Sequence, residues 1–254
     1  MKSQSSSWKN VLAVFKREFF SYFNSPVAYV ILVIFLLMTQ GFTFFFGGFL
    51  DSDDANLTGP FFSWHPWIYM VLAPAVGMKL WSEEHRLGTL ELLMTMPISP
   101  WQAILGKYLA ASAVWAIGLL LTFPIVVTVY FLGSPDLGPI ISAYVASYFY
   151  AICCLAVTCA VSAFTRSQVI CFIISVSICL VLTLLGAPRA SEWIVKVLPS
   201  STESLVHFIT YLCFLTHFYD MSKGVILLRD LLYFVSVITV CLMITGVALQ
   251  SRRS

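Results

Sequence analysis

Six stretches of this chain contain no Asp, Glu, Lys or Arg: residues 26–50, 55–78, 108–135, 137–165, 167–188 and 231–251. Each is about 20 residues or longer, enough at about 1.5 Å per residue to cross a hydrocarbon layer about 30 Å thick. Backbone polar groups inside lipid must be satisfied within their own segment, so runs of this kind fold as helices. The expected fold class is all-α integral membrane, with six transmembrane helices.

Composition agrees with that expectation. Apolar residues make up 59% of the 254, charged residues 10%, and mean hydropathy is +0.90, whereas a soluble domain carries about 25% charged residues. A net charge of +2 is too small to point to a nucleic-acid partner. The distribution of basic residues is more informative. Lys2, Lys9, Lys16 and Arg17 precede the first run, Lys79, Arg86 and Lys107 separate the second from the third, Arg166 separates the fourth from the fifth, and Arg252-Arg253 follow the last. The positive-inside rule places these segments, and both termini, in the cytosol. The first two segments on the other side carry Asp51, Asp53, Asp54 and Asp136.

The N-terminal 25 residues do not read as a cleaved signal, because no small-residue cleavage site closes a short apolar core. Trp8, Val11, Leu12, Phe15, Phe19, Tyr22 and Phe23 recur there at helical spacing among Lys9, Lys16 and Arg17. That pattern predicts an amphipathic helix in the headgroup plane over 1–25, either a generic juxtamembrane helix or an elbow bracing a transport protein. Ser25-Pro26 ends it and opens the first span.

Between the second and third runs lies a polar block, 82–107. Leu87, Leu90, Leu93 and Met94 share one helical face, with Glu84, Arg86, Thr89 and Glu91 elsewhere, and Pro97 stops the pattern. Ser99-Pro100-Trp101-Gln102 reads as the capped start of a new helix. Between the fifth and sixth runs, segment 189–230 holds apolar stretches too short to cross, such as 205–216, which suit re-entrant or interfacial helices. No repeat and no separate soluble domain interrupts the chain, so 1–254 is read as a single membrane domain.

Several chemistries find no residues to carry them. The spans hold no intramembrane acid or base of the sort an ion-coupled carrier retains. His65, beside Trp64 and Trp67, is expected at the outer interface, where Trp is enriched. No Gly-x-x-x-x-Gly-Lys-Ser/Thr, His-Glu-x-x-His or Gly-x-Ser-x-Gly is present. The seven cysteines stand in apolar sequence without paired metal spacing and read as packing residues. The chain is not expected to be an enzyme, nor to bind a metal or cofactor. A structured polar element on the basic side suggests that energy arrives from a cytosolic partner, an ATPase being the obvious candidate.

Particular residues then carry a resemblance. Glu83-Glu84-x-Arg86-x-Gly88-Thr89-x-Glu91-Leu92-Leu93, followed by Pro97-x-Ser99 and Leu105-Gly106-Lys107-Tyr108, resembles the first cytosolic loop of type 2 ABC exporter permeases. His217-Phe218, Lys223-Gly224, Arg229-Asp230 and Tyr233-Phe234 resemble the outer segment of its gliding-motility-type and copper-maturation-type branch, although Tyr219-Asp220 stands where relatives often have Glu-Ser or Glu-Ala. Glu18, Tyr22-Phe23 and Ser25-Pro26 are similar to that branch's elbow helix.

The resemblance implies a permease subunit of an ATP-driven exporter in the bacterial inner membrane. It implies a coupling helix over 84–96 on which a cytosolic ABC ATPase docks, through Glu83, Glu84, Arg86, Gly88, Thr89, Glu91 and Pro97. ATP and Mg would be bound by that partner, and a second permease copy or a related permease would complete the complex. His217, Phe218, Gly224 and Asp230 would form the outer-segment motif, with room for an outer partner. Membrane lipid is the remaining partner. The output is either substrate movement or force transmitted across the membrane. A membrane scaffold and a secondary carrier not driven by ATP remain as alternatives at the level of sequence.

Overall fold

The computed structural model describes residues 2–47, 49, 57–89, 98–133, 135–185 and 211–251, and all regular structure among them is helical. Helix α1 runs Lys2–Asn24 and α2 runs Pro26–Phe45. Ser25 separates them in an extended conformation, its hydroxyl accepting from the Val27 amide at 3.4 Å, with Pro26 in the first turn where its missing N–H is harmless. Only one face of α2 is buried, through Ala28, Ile31, Leu32, Phe35, Thr39 and Thr43, and Tyr29, Val30, Val33 and Leu37 are exposed on the other. This helix stops short of the expected residue 50. A Cβ on Gly47 would lie 2.6 Å from the Pro60 carbonyl oxygen, so the chain turns there against the 57–60 turn, a close approach that only Gly allows.

The second apolar run is used differently from the expectation. A 3-10 turn at Phe62–Trp64 leads into α3, His65–Gly77, and α4, Lys79–Leu87, follows after the single residue Met78, whose backbone is itself helical. Thus the run spends its first third on turns, and the helix continues about two turns beyond its apolar end. Lys79, Glu83, Glu84 and Arg86 leave the apolar layer without leaving the helix, because none of them breaks it.

The capping box at Ser99 forms as read. Ser99 Oγ accepts from the Gln102 amide at 3.3 Å and Gln102 Oε1 accepts from the Ser99 amide at 3.1 Å. From there α5, Pro100–Leu121, and α6, Phe123–Leu132, make one 33-residue apolar rod interrupted at Thr122. Pro124, in the first turn of α6, removes a backbone donor and forces the break. This rod starts at Pro100, as the cap predicts, eight residues before the uncharged run begins at 108, and so carries Lys107 within it.

At the centre stands α7, Leu137–Phe164, 72% buried across its membrane-length window against 44% or less for the other long helices. Ala143, Ala146, Ala151, Cys153, Cys154, Ala156, Cys159, Ala160 and Ala163 give it a small-residue surface that lets neighbours approach closely. Helix α3 uses this at Gly77, where a Cβ would meet the Thr158 methyl at 2.9 Å. Then follow α8, Gln168–Leu184, the short α9, Phe214–Met221, and α10, Leu228–Ser251. All seven cysteines are free, six of them buried, in keeping with a packing role.

Among the described residues, four units are long and apolar enough to cross a membrane: α2, the α5–α6 rod, α7 and α10. Helices α3 and α8, with 13 and 17 residues, fall below the roughly 20 residues of an ordinary span. The protein is a multi-pass membrane protein. Two expectations need correction. His65 does not present its ring at a surface but is fully buried within the protein, 2.9 Å from Ser147 Oγ and packed among Phe35, Phe61, Phe62 and Tyr69. And the long helices are not free of charge, since Lys107 lies inside α5 and Asp230 inside the first turn of α10, both buried.

Helix α1 lies along α5. Val11 and Val14 are its buried residues, Asn10 Nδ2 donates to Gln102 Oε1 at 3.4 Å, and Trp8, Leu12 and Phe20 remain exposed. The approach is set by Gly106, whose Cβ would stand 2.7 Å from the Val14 side chain and 3.0 Å from the Val11 carbonyl oxygen. Gly106→Leu is therefore expected to lift α1 off α5. Maleimide labelling of Val14→Cys should rise from slow in the parent to fast in the Gly106→Leu background, and equal labelling in both would refute this packing.

Candidate functional site

Lys107 is the organising residue of the basic end of the bundle. Its side chain is 5% exposed, and the ammonium donates to Glu84 Oε1 at 2.8 Å, to the Leu80 carbonyl oxygen at 3.1 Å and to Glu18 Oε1 at 3.4 Å. It also lies 5.1 Å from the centre of the Trp81 ring. An ammonium has three donors, and here each has an acceptor. Three elements meet at this one charge: α1 through Glu18, α4 through Leu80 and Glu84, and α5 through Lys107 itself.

The surroundings hold the site together. Tyr22 of α1 donates to the Val76 carbonyl oxygen at 3.4 Å. Burial, with the nearby Glu18 and Glu83 charges, pushes its phenol well above the ordinary value, so it stays neutral and remains a donor. His85 Nε2 reaches the Ala163 carbonyl oxygen at 3.0 Å and ties α4 to the end of α7. Glu18 is shared with Arg17 at 2.6 Å.

Helix α4 ends at a residue chosen for the purpose. Gly88 has φ +69°, the left-handed cap conformation, with its amide and that of Thr89 both directed to the Glu84 carbonyl oxygen. His85 and Arg86 occupy the last turn, where the helix dipole favours cations. The expected helix over 84–96 is corrected here: Glu83, Glu84 and Arg86 belong to the end of α4, and Gly88 and Thr89 form its stop. A continuous helix through 88 is broken by the positive φ. Glu91 and Pro97 lie outside the described residues. Of the predicted residues, Glu84 alone enters the Lys107 cluster; Glu83 and Arg86 form an exposed pair at 3.9 Å, worth little in water.

A second cluster gathers at the opposite end of α7. His217 is 1% and Asp230 0% exposed, with Nδ1 and Oδ1 2.7 Å apart. His217 Nε2 faces the Tyr211 carbonyl oxygen at 2.8 Å, and since a carbonyl only accepts, that nitrogen carries a proton. The imidazole stacks on Tyr233 at 3.9 Å. Phe218, fully buried, packs edge-on against Tyr150. Gly224 has φ +98° and donates its amide to Ser142 Oγ at 3.1 Å, docking the turn after α9 onto the first turns of α7. His217, Phe218, Gly224 and Asp230 thus come together, as the fastening of α9 to α7 and α10. Of the predicted outer segment, residues 189–210 lie outside the described residues.

Sequence reasoning quoted Glu18, Tyr22 and Lys107 without placing them in a site, and Trp81 was not singled out. The available signal was Lys107 itself, a lone base between Gly106 and Tyr108 at the threshold of an apolar run. Among the described residues no three His, Cys, Asp or Glu side chains are grouped to hold a metal ion.

The chain matches the model of the ABC-2 family transporter proteins over residues 12–251 and belongs to that family. The match extends from α1 to the last turn of α10, so both clusters lie within it. No curated protein matches the chain significantly.

Removing the buried cation should leave Glu84 uncompensated. Lys107→Ala is expected to destabilise the purified protein by about 3–5 kcal/mol, read as a lowered thermal transition and as proteolysis within α1. Glu83→Gln, at the exposed pair, should change stability by about 0.5 kcal/mol or less. Equal stability of Lys107→Ala and the parent would refute the role given to the cluster. At the other end, Asp230→Ala should expose the α9 segment to proteolysis while leaving the α1–α5 contact intact, and unchanged protection of α9 would refute the fastening.

Proposed function

We propose that this chain is the permease subunit of an ATP-driven ABC transporter of the type 2 exporter class. A separate cytosolic ATPase binds ATP and Mg and hydrolyses it, and a second permease, identical or related, completes the membrane part. The protein lies in a bacterial inner membrane with both termini in the cytosol, an orientation that the distribution of basic residues supports. Its output is substrate movement or force delivered to the outer side. The outer-segment residues His217-Phe218, Lys223-Gly224 and Arg229-Asp230 support the gliding-motility-type and copper-maturation-type branch.

The single observation that carries this reading is the joint at Lys107. Segment 89–97, on which the ATPase is proposed to dock, follows directly from α4, and α4 is bonded through Glu84 and Lys107 to α5 and through Glu18 to α1. A displacement applied beyond Gly88 is delivered to three elements at once rather than absorbed by a loose loop. Gly88 sets the angle at which the segment leaves α4, and a residue with a Cβ there costs about 1–2 kcal/mol in the left-handed conformation.

Affinity purification of the tagged chain from native membranes in mild detergent tests the proposal. A stoichiometric protein with a Walker motif, and ATP turnover in the complex, are the expected result. Glu91→Ala combined with Gly88→Trp should reduce recovery of that ATPase several-fold while the chain stays monodisperse. An isolated chain that is reproducibly inactive, or unchanged ATPase recovery with the double variant, would overturn it.

A further inference from the structure

Between α9 and α10 the chain has no regular secondary structure over residues 222–227, and it leaves apolar side chains uncovered in a row: Val225, Ile226, Leu227 and Leu228 are 43–68% exposed. Single exposed apolar residues are ordinary, whereas a contiguous run marks a contact surface. Gly224 fixes where this run sits along the bundle. Its amide donates to Ser142 Oγ at 3.1 Å, and a Cβ on it would lie 3.3 Å from the Pro139 ring. Ser142 is five residues into α7, about 7 Å along the helix axis, on the apolar side of the Asp136 cap that opens the helix. The run is therefore level with the first turns of a membrane-spanning helix, where Leu137 and Ile141 are themselves exposed. It leads directly into α10, on which Leu228, Leu232 and Val235 continue an exposed apolar stripe at helical spacing.

Side chains and backbone make opposite demands here. The four side chains favour hydrocarbon over water. The amides of Val225, Ile226 and Leu227, however, donate to no acceptor among the described residues, and backbone without partners is not tolerated in the hydrocarbon core. Water answers the second demand and the membrane interior the first. Only the boundary between headgroups and acyl chains answers both. The flanking charges agree with that level. Lys223 pairs with Asp220 at 2.7 Å, and Arg229 with Asp220 at 3.5 Å and Asp230 at 3.3 Å. Both bases are thus answered by acids of the protein itself, which leaves apolar contact rather than headgroup charge to draw the run to the membrane.

We propose that residues 225–228 form a membrane anchor, with their side chains in the acyl boundary of the adjoining leaflet and their backbone among the headgroups. The occupant of this surface is lipid rather than an outer protein partner, because the surfaces that continue it, the first turns of α7 and the exposed stripe of α10, both belong to membrane-spanning helices. The anchor depends on neither an ATPase nor the orientation of the chain, and its test needs neither.

Spin labels on Ile226→Cys and, separately, on Lys223→Cys report the level of each position in the full chain, held in phosphatidylcholine nanodiscs, once the signal of the unsubstituted protein is subtracted. Oxygen concentrates in hydrocarbon and a nickel chelate stays in water. At 226 oxygen is expected to relax the label several-fold more than the chelate, and at 223 the order should reverse. Replacing part of the phosphatidylcholine by phosphatidylglycerol should leave the ratio at 226 unchanged. A label at 226 relaxed mainly by the chelate places the run in water and overturns the proposal. Exclusion of both reagents at 226 means that protein covers the run, a second copy or another segment, and overturns it equally. An oxygen preference that emerges only with the anionic lipid overturns the apolar basis of the anchor.

Discussion

A lysine ammonium withdrawn from water has to be answered by acceptors on every side, and this requirement fixes the basic end of the molecule. Lys107 can sit inside α5 because Glu84, Glu18 and the Leu80 carbonyl oxygen come to it from two other helices. Desolvating such a charge is costly, and the cost is offset only where geometry and partners are complete. The arrangement therefore specifies position more than it adds stability. Helix α1 has one place to lie, α4 one rotation, and Gly106 the smallest side chain so that α1 can reach that place.

The other end solves the same problem with different groups. Asp230 and His217 are buried together, and the imidazole is held by a carbonyl oxygen and an aromatic face as well as by the carboxylate. Between the two charged ends, α7 is lined with Ala and Cys, which provides close contact without any directional demand. Polar contacts register its neighbours in the middle as well, Ser147 with His65 at 2.9 Å and the Ile152 carbonyl oxygen accepting from Tyr108 at 2.8 Å. In lipid, where burial of apolar surface does not favour one neighbour over another, packing of small residues and interhelical hydrogen bonds are what remain to choose partners.

The chain belongs to the ABC-2 family transporter proteins over residues 12–251, and within it the Lys107 cluster joins α4 to α1 and α5.

Much was legible in the sequence by itself. The absence of charge over long runs dictated membrane helices because lipid accepts no unsatisfied backbone. Ser25-Pro26 and Ser99-Pro100-x-Gln102 marked two helix starts because their capping chemistry is local. Hydropathy, however, reports where a helix meets lipid and not where it ends: the uncharged runs stop at 78 and resume at 108, whereas the helices that carry them reach Leu87 and begin at Pro100. Lys107 and Asp230 were set at span boundaries because a charge in sequence says nothing of what will face it. Their acceptors lie on other helices, Glu18 and Glu84 for one and His217 for the other, and only the tertiary structure brings residues that far apart to within hydrogen-bonding distance.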